Sequence, residues 1–147
     1  MVLEASRTVE VDAPIERCYE LAADIQAAPD WQETLLDVEV LERDDQKRPV
    51  VVETTSDAVV KKARSKLRFS YDPPNEVSWE QVEGDPKWLT GRWQFEDLGE
   101  GRTRATYALE SDPGRMLGML LRGPVQDKVK ELLTRSPTEG LERIAPG

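Results

Sequence analysis

The chain contains no histidine and a single cysteine, Cys18. Ser-His-Asp and Cys-His nucleophile systems, His-based metal sites and zinc-type ligand sets are therefore beyond its reach. Any catalysis would have to run on carboxylates, Arg, Lys, Tyr, hydroxyls or water. No catalytic residue and no metal ligand is assigned on this basis, and no cofactor is expected. The residues that could act as a group are aromatic. Phe69, Tyr71, Trp79, Trp93, Phe95 and Tyr107 fall mostly on rows that read as inward in alternating segments. Any one of them alone is ordinary core packing, but as a set they suit the wall of a small-molecule cavity. Leu67, on the same row as Phe69 and Tyr71, and Leu117 and Leu120, in the apolar run at the start of the last helix, join them as candidate ligand-binding positions.

Polar groups on inward rows would separate a site that only holds a molecule from one that transforms it. Few are offered: Arg7, either Thr54 or Glu53, Ser65 and Gln81, with parity open wherever a bulge intervenes. Arg7 could meet a ligand carboxylate or phenolate, although its expected place is past the sheet rim in solvent. Arg68 and Arg92 stand opposite the aromatic row and read as surface charges. Glu42-Arg43-Asp44-Asp45 and Lys61-Lys62-Ala63-Arg64 read as solvated hairpin ends, and Cys18 as a small buried hydrophobe.

Twenty Lys plus Arg against twenty-nine Asp plus Glu leave a net charge of −9, which argues against a general nucleic-acid binder. The 147 residues fit a single domain over 1–147. A chain of this size buries about 68–70% of its unfolded surface, enough for a core with a hole in it. The longest apolar run, Met116 to Leu121 with Gly118 inside it, is far too short to span a bilayer, and no basic-then-apolar signal opens the chain. A cytoplasmic setting is expected.

The elements that must position these residues follow from periodicity. Leu3 to Val11 alternates with a period of two and reads as a strand. Asp12-Ala13-Pro14 then supplies a capping oxygen and a first-turn proline for an amphipathic helix carrying Ile15, Cys18, Tyr19, Ala22 and Ile25. Ala28-Pro29-Asp30 breaks that helix, and Trp31 to Leu35 is expected to form a second short helical turn. Six strands follow: Leu36–Arg43, Val50–Ser56, Lys62–Tyr71, Glu76–Glu83, Lys87–Asp97 and Arg102–Ser111. Turn-forming clusters separate them, including Asp72-Pro73-Pro74-Asn75 and Gly99-Glu100-Gly101. From Pro113 a long helix bears Leu117, Leu120, Leu121, Val125, Val129, Leu132 and Leu133. Gly123-Pro124 should kink it, and Ser136-Pro137-Thr138-Glu139 reads as a capping box that restarts it.

Val9-Glu10-Val11-Asp12-Ala13-Pro14-Ile15-Glu16, then Cys18-Tyr19, Asp24-Ile25 and Pro29-Asp30-Trp31, resemble the opening of the polyketide cyclase/dehydrase and lipid-transport family of the START-like (SRPBCC) superfamily. Leu89-Thr90-Gly91-Arg92-Trp93 and the stretch from Gly101 to Tyr107 are similar to its later strands. The resemblance implies an α+β helix-grip fold. In it a curved seven-stranded antiparallel sheet surrounds a long C-terminal helix, two short helices stand between the first and second strands, and a hydrophobic ligand cavity lies inside. It adds Trp31, in the family's proline-aromatic position, to the candidate ligand-binding residues. Three functions follow as expectations. The first is binding or transport of a small hydrophobic or amphiphilic ligand such as a lipid, quinone, isoprenoid or polyketide-like molecule. The second is a polyketide aromatase/cyclase, and the third an interaction module using the outer surface. No nucleic-acid partner and no integral membrane segment are expected, while transient membrane contact and a homodimer stay open. The run Met116 to Leu121 could serve as a gate over the cavity, a dimer face or a membrane-touching patch.

Overall fold

The computed structural model describes residues 2–58 and 61–146. Nine residues of alternating burial form β1 (Leu3–Val11), and the chain then turns into α1 (Ile15–Ala23). Pro14 is the N-cap of α1; no side chain caps it, so the oxygen expected from Asp12 is not used. Ile15, Cys18, Tyr19 and Ala22, spaced three or four apart, are the buried face. The second helical piece comes earlier than expected. It is a 3-10 helix over Ile25–Asp30 with Pro29 inside it, and Trp31 ends it. Proline is tolerated because the turn bonds bypass it, running from Ala27 N–H to Asp24 O and from Trp31 and Gln32 N–H to Ala28 O.

Six antiparallel strands follow: β2 (Leu35–Arg43), β3 (Pro49–Asp57), β4 (Lys62–Asp72), β5 (Glu76–Gly84), β6 (Trp88–Gly99) and β7 (Arg102–Asp112). All expected strands are present, with ends moved by one or two residues. The sheet order is β1-β7-β6-β5-β4-β3-β2, so the pair α1 and 3-10 helix carries the chain from one edge strand to the other. Registers break at Lys66/Leu67, Asp97/Gly99 and several points in β2; such bulges raise local twist and let a sheet curl.

Beyond β7 a short helix, α2 (Gly114–Leu120), precedes the long α3 (Pro124–Ile144). The break at Gly123-Pro124 is as expected: Gly123 takes a φ of 56°, open to glycine, and Pro124 starts the next helix. The capping box is not formed. α3 runs unbroken through Pro137, and the Ser136 hydroxyl instead accepts the Thr34 backbone N–H at 3.1 Å, a buried tertiary bond. Thr134 and Thr138 turn their hydroxyls back onto the Lys130 and Thr134 carbonyls of the same helix.

α3 packs against β1 and β7, α1 against β5, β6 and β7, and the 3-10 helix against β2. The core between these layers joins Val11, Cys18, Tyr19, Trp31, Phe69, Val77, Trp93, Phe95 and Leu141. Because α3 leans on the β1–β7 side, the inner rows of β3, β4 and β5 are not all covered by it.

Candidate functional site

Between α2, α3 and the inner sheet face lies a cavity of about 170 Å3. β4 contributes Leu67 and Phe69, β5 Trp79, β6 Leu89 and Trp93, and β7 Tyr107 and Leu109. They share one face because each stands at an alternate position of its strand, and the pairings Phe69↔Trp79 and Trp93↔Tyr107 set them side by side. The rings form a chain. Trp79 stacks on Phe69 with centroids 5.5 Å apart and tilts against Tyr107 at 5.6 Å, and Tyr107 meets Trp93 edge-on at 4.9 Å. Such geometries favour aromatic pairs over loose aliphatic contact. Leu117 and Leu121 close the space from the α2 side, and Val129, Lys130 and Leu133 from α3.

Six of the ten sequence candidates therefore meet in one place: Leu67, Phe69, Trp79, Trp93, Tyr107 and Leu117. Four do not line it. Trp31 is buried in the core beside Trp93, at 6.4 Å, because it ends the 3-10 helix underneath α3. Phe95 packs edge-on against Tyr19 of α1 at 6.5 Å, since β6 runs on beneath α1 there. Tyr71 sits near the strand end, where its hydroxyl donates to the Pro49 carbonyl and Arg48 lies 4.9 Å from its ring. Leu120 is 51% exposed on the outer side of α2.

The inward polar positions sort as follows. Thr54, not Glu53, faces the cavity; Glu53 points out and pairs with Arg64. Ser65 lines the wall and donates to Gln81 Oε1 at 2.8 Å, whose amide donates to the Pro86 carbonyl at 2.7 Å. This chain ties β4, β5 and the β5–β6 turn together. Arg7 is not past the rim. It remains on the inner row of β1 and reaches Glu139 of α3 at 3.6 Å, with its side chain 36% exposed. Arg68 and Arg92 are exposed on the outer face.

Tyr107 is 9% exposed, and its hydroxyl makes no hydrogen bond to any of the described residues. Burial pushes its acidity far down, so the group is a neutral donor at every ordinary pH. Burial also pushes the Cys18 thiol up, against a weaker opposing hydrogen bond with Thr103; it is a packed hydrophobe away from the cavity. Among the described residues no group of three or more His, Cys, Asp or Glu could hold a metal ion, and no helix is long and apolar enough to cross a membrane.

Sequence reasoning overlooked Lys130, Leu109, Leu89, Ile25 and the hydroxyls of Thr34, Ser56 and Ser111 as cavity positions. The alternation that places Tyr107 inward also places Leu109 and Ser111, so these two were readable. Thr34 and Ile25 depend on the path of the 3-10 helix, which periodicity does not give.

A seven-stranded sheet closed over a long C-terminal helix, with an aromatic hollow between them, defines a helix-grip domain. The chain belongs to the polyketide cyclase/dehydrase and lipid-transport family, whose profile matches residues 11–136. No curated protein matches it in sequence. Among solved structures it is similar to TTHA0849 of Thermus thermophilus, with 28% identity, 97% of each chain covered and a TM-score of 0.83. A START superfamily protein of Mycobacterium smegmatis shares the fold at 20% identity and a TM-score of 0.82, covering 95% of this chain and 94% of that one. The Zhui aromatase/cyclase of a Streptomyces species does so at 21% identity and a TM-score of 0.69, covering 99% and 88%.

Proposed function

We propose that the chain binds a small hydrophobic or amphiphilic ligand, of lipid, quinone, isoprenoid or polyketide-like kind, in the cavity between the sheet and α3. The observation that carries this reading is the hollow itself. A core serving only stability would be filled, because each unfilled volume costs packing energy, yet about 170 Å3 stays open beside four aromatic rings. That volume is close to the roughly 150 Å3 of an engineered apolar cavity that takes benzene, and below the about 300–1,000 Å3 of ordinary ligand pockets. One ring or a short chain fits that volume, and a longer ligand would have to displace α2. α2 suits that role. None of its residues is buried, Met116 is 80% exposed, and positive-φ glycines, Gly114 and Gly123, flank its length.

The test is native mass spectrometry of the protein purified from its own host, followed by organic extraction of whatever it carries. A stoichiometric apolar adduct is the expected result. No adduct, together with no rise in melting temperature across a panel of lipids, quinones and aromatic polyketides, would sink the reading, since linkage requires a bound ligand to stabilise. An interaction module would then come first.

An aromatase/cyclase is the second reading. Tyr107, a cavity-lining residue whose hydroxyl has no hydrogen-bond partner among the described residues, is the observation that favours it, because such a donor could hold a poly-β-ketone carbonyl. Against it, no carboxylate among the described residues lines the cavity to move a proton, and Arg68 and Arg92 face outward.

A further inference from the structure

The cavity wall has an unbalanced charge. In a chain of net charge −9, the described residues lining the hollow include no Asp or Glu and a single ionisable cation, Lys130. Lys130 follows Val129 and precedes Leu133 on the face of α3 that closes the cavity, and it is half-buried. Its ammonium has no ion pair and no hydrogen bond among the described residues, although the chain is rich in acids. The nearest acid in sequence, Glu131, is taken by Arg135 at 3.0 Å. Lys130 is six helical steps beyond Pro124, about 9 Å along α3 at the usual rise, so the residue belongs to the first two turns after the α2–α3 junction. The aromatic rings of β4 to β7 occupy the sheet side of the same space.

An apolar chamber with one unpaired cation at its helical side and no anion matches an apolar molecule with one negative end. We propose that the ligand is an amphiphilic anion, a carboxylate on an alkyl or aryl body, with its carboxylate paired to Lys130 and its apolar part against Phe69, Trp79 and Trp93. The Tyr107 hydroxyl, deeper on β7, is left to donate to a carbonyl or hydroxyl oxygen if the body carries one. This inference rests on the binding reading above and narrows it to a charge class. The competing role for Lys130 is plain packing, its methylene stem on the wall and its ammonium in water.

The experiment compares octanoate with 1-octanol, matched in chain length and differing in charge at pH 7.5. Each displaces the neutral fluorescent reporter N-phenyl-1-naphthylamine from the full-length protein, its Lys130→Met variant and its Lys130→Arg variant. The wild type should bind octanoate about tenfold more tightly than octanol, the fold-change that corresponds to about 1.4 kcal/mol. Lys130→Met should abolish that preference, so that octanoate binds no more tightly than octanol, and Lys130→Arg should keep most of it. Equal affinity of the wild type for both compounds, or a preference that survives Lys130→Met, overturns the charge assignment while the binding reading stands. Failure of the reporter and both compounds to bind the wild type overturns the two together.

Discussion

Trp79 of β5 lies against Gly91 of β6, its register partner: a side-chain carbon at position 91 would stand only 2.4 Å from the indole atoms Cε2 and Nε1. The glycine is thus where one sheet strand makes room for an aromatic wall. Trp79 cannot simply swing aside, because Phe69 holds one side at 5.5 Å and Tyr107 the other at 5.6 Å. Gly91→Ala should push the ring into the hollow. The expected cost is about 1–3 kcal/mol of stability, the range for overpacking a closed core, along with weaker binding of N-phenyl-1-naphthylamine. Urea unfolding and reporter titration check both, and an unchanged midpoint would mean the ring re-seats freely.

Helix α3 is registered against the segment before β2 by two small contacts. A side-chain carbon on Gly140 would collide with the Trp31 carbonyl and stand 2.9 Å from its ring atom Cε3, so Gly140→Ala meets backbone that cannot rotate away. A loss near the top of the overpacking range, about 3 kcal/mol, is expected. Ser136→Ala removes the acceptor of the buried Thr34 N–H and should cost about 1–3 kcal/mol by leaving that donor unsatisfied. The urea midpoint of each variant is the measurement, and a neutral Ser136→Ala would show that water reaches Thr34.

Those two contacts also mark where the sequence could be read and where it could not. The strands were legible because one dry face forces a period of two, and Leu67, Phe69, Tyr107 and Leu109 needed only that parity to be placed inward. The helical stretch after α1 was displaced because a proline usually ends a helix, whereas Pro29 is carried inside a 3-10 turn whose bonds bypass it. Ser136-Pro137-Thr138-Glu139 has the composition of a cap, but its serine is used across the fold by Thr34, a partner 102 positions away. Trp31 and Phe95 are both buried, yet neither lines the hollow. Whether an inward ring meets the hollow or the core depends on where α1 and α3 cross the sheet, and local pattern does not encode that.

Tyr107 links stability to alkaline pH. Its ionisation is pushed above the usual tyrosine value by burial, so the folded state keeps its proton where the unfolded chain, ionising near 10, releases it. Its contribution is intact below pH 10 and declines as pH rises past 10, because the unfolded state then binds fewer protons than the folded one. A slope of up to about 1.4 kcal/mol per pH unit is expected from this residue. Tyr71, pushed up to about 12 mainly by burial, adds a smaller decline of the same sign between pH 10 and 12. Urea titrations at pH 9, 10 and 11 measure the fall, and Tyr107→Phe should flatten it while changing stability little at pH 7, since the hydroxyl has no partner to lose among the described residues. An equal slope in that variant would place the alkaline sensitivity elsewhere.

Leu117 reaches the cavity from α2, whereas Met116 at 80%, Met119 at 60% and Leu120 at 51% exposure turn away from it. Leu117→Trp should therefore fill the hollow from its movable side. α2 has no buried residue to hold it down, so it can lift, and the stability cost should stay below the about 1–3 kcal/mol of overpacking in a closed core. Reporter binding should fall sharply all the same, because the larger ring competes for the space beside Trp79 and Trp93. Met116→Ser and Met119→Ser, on the outer side, should shift stability by less than about 0.5 kcal/mol and leave equilibrium affinity intact. Stopped-flow entry of N-phenyl-1-naphthylamine distinguishes the two faces of the helix. Leu117→Trp binding the reporter as well as the wild type does would mean that the cavity is entered and filled without α2.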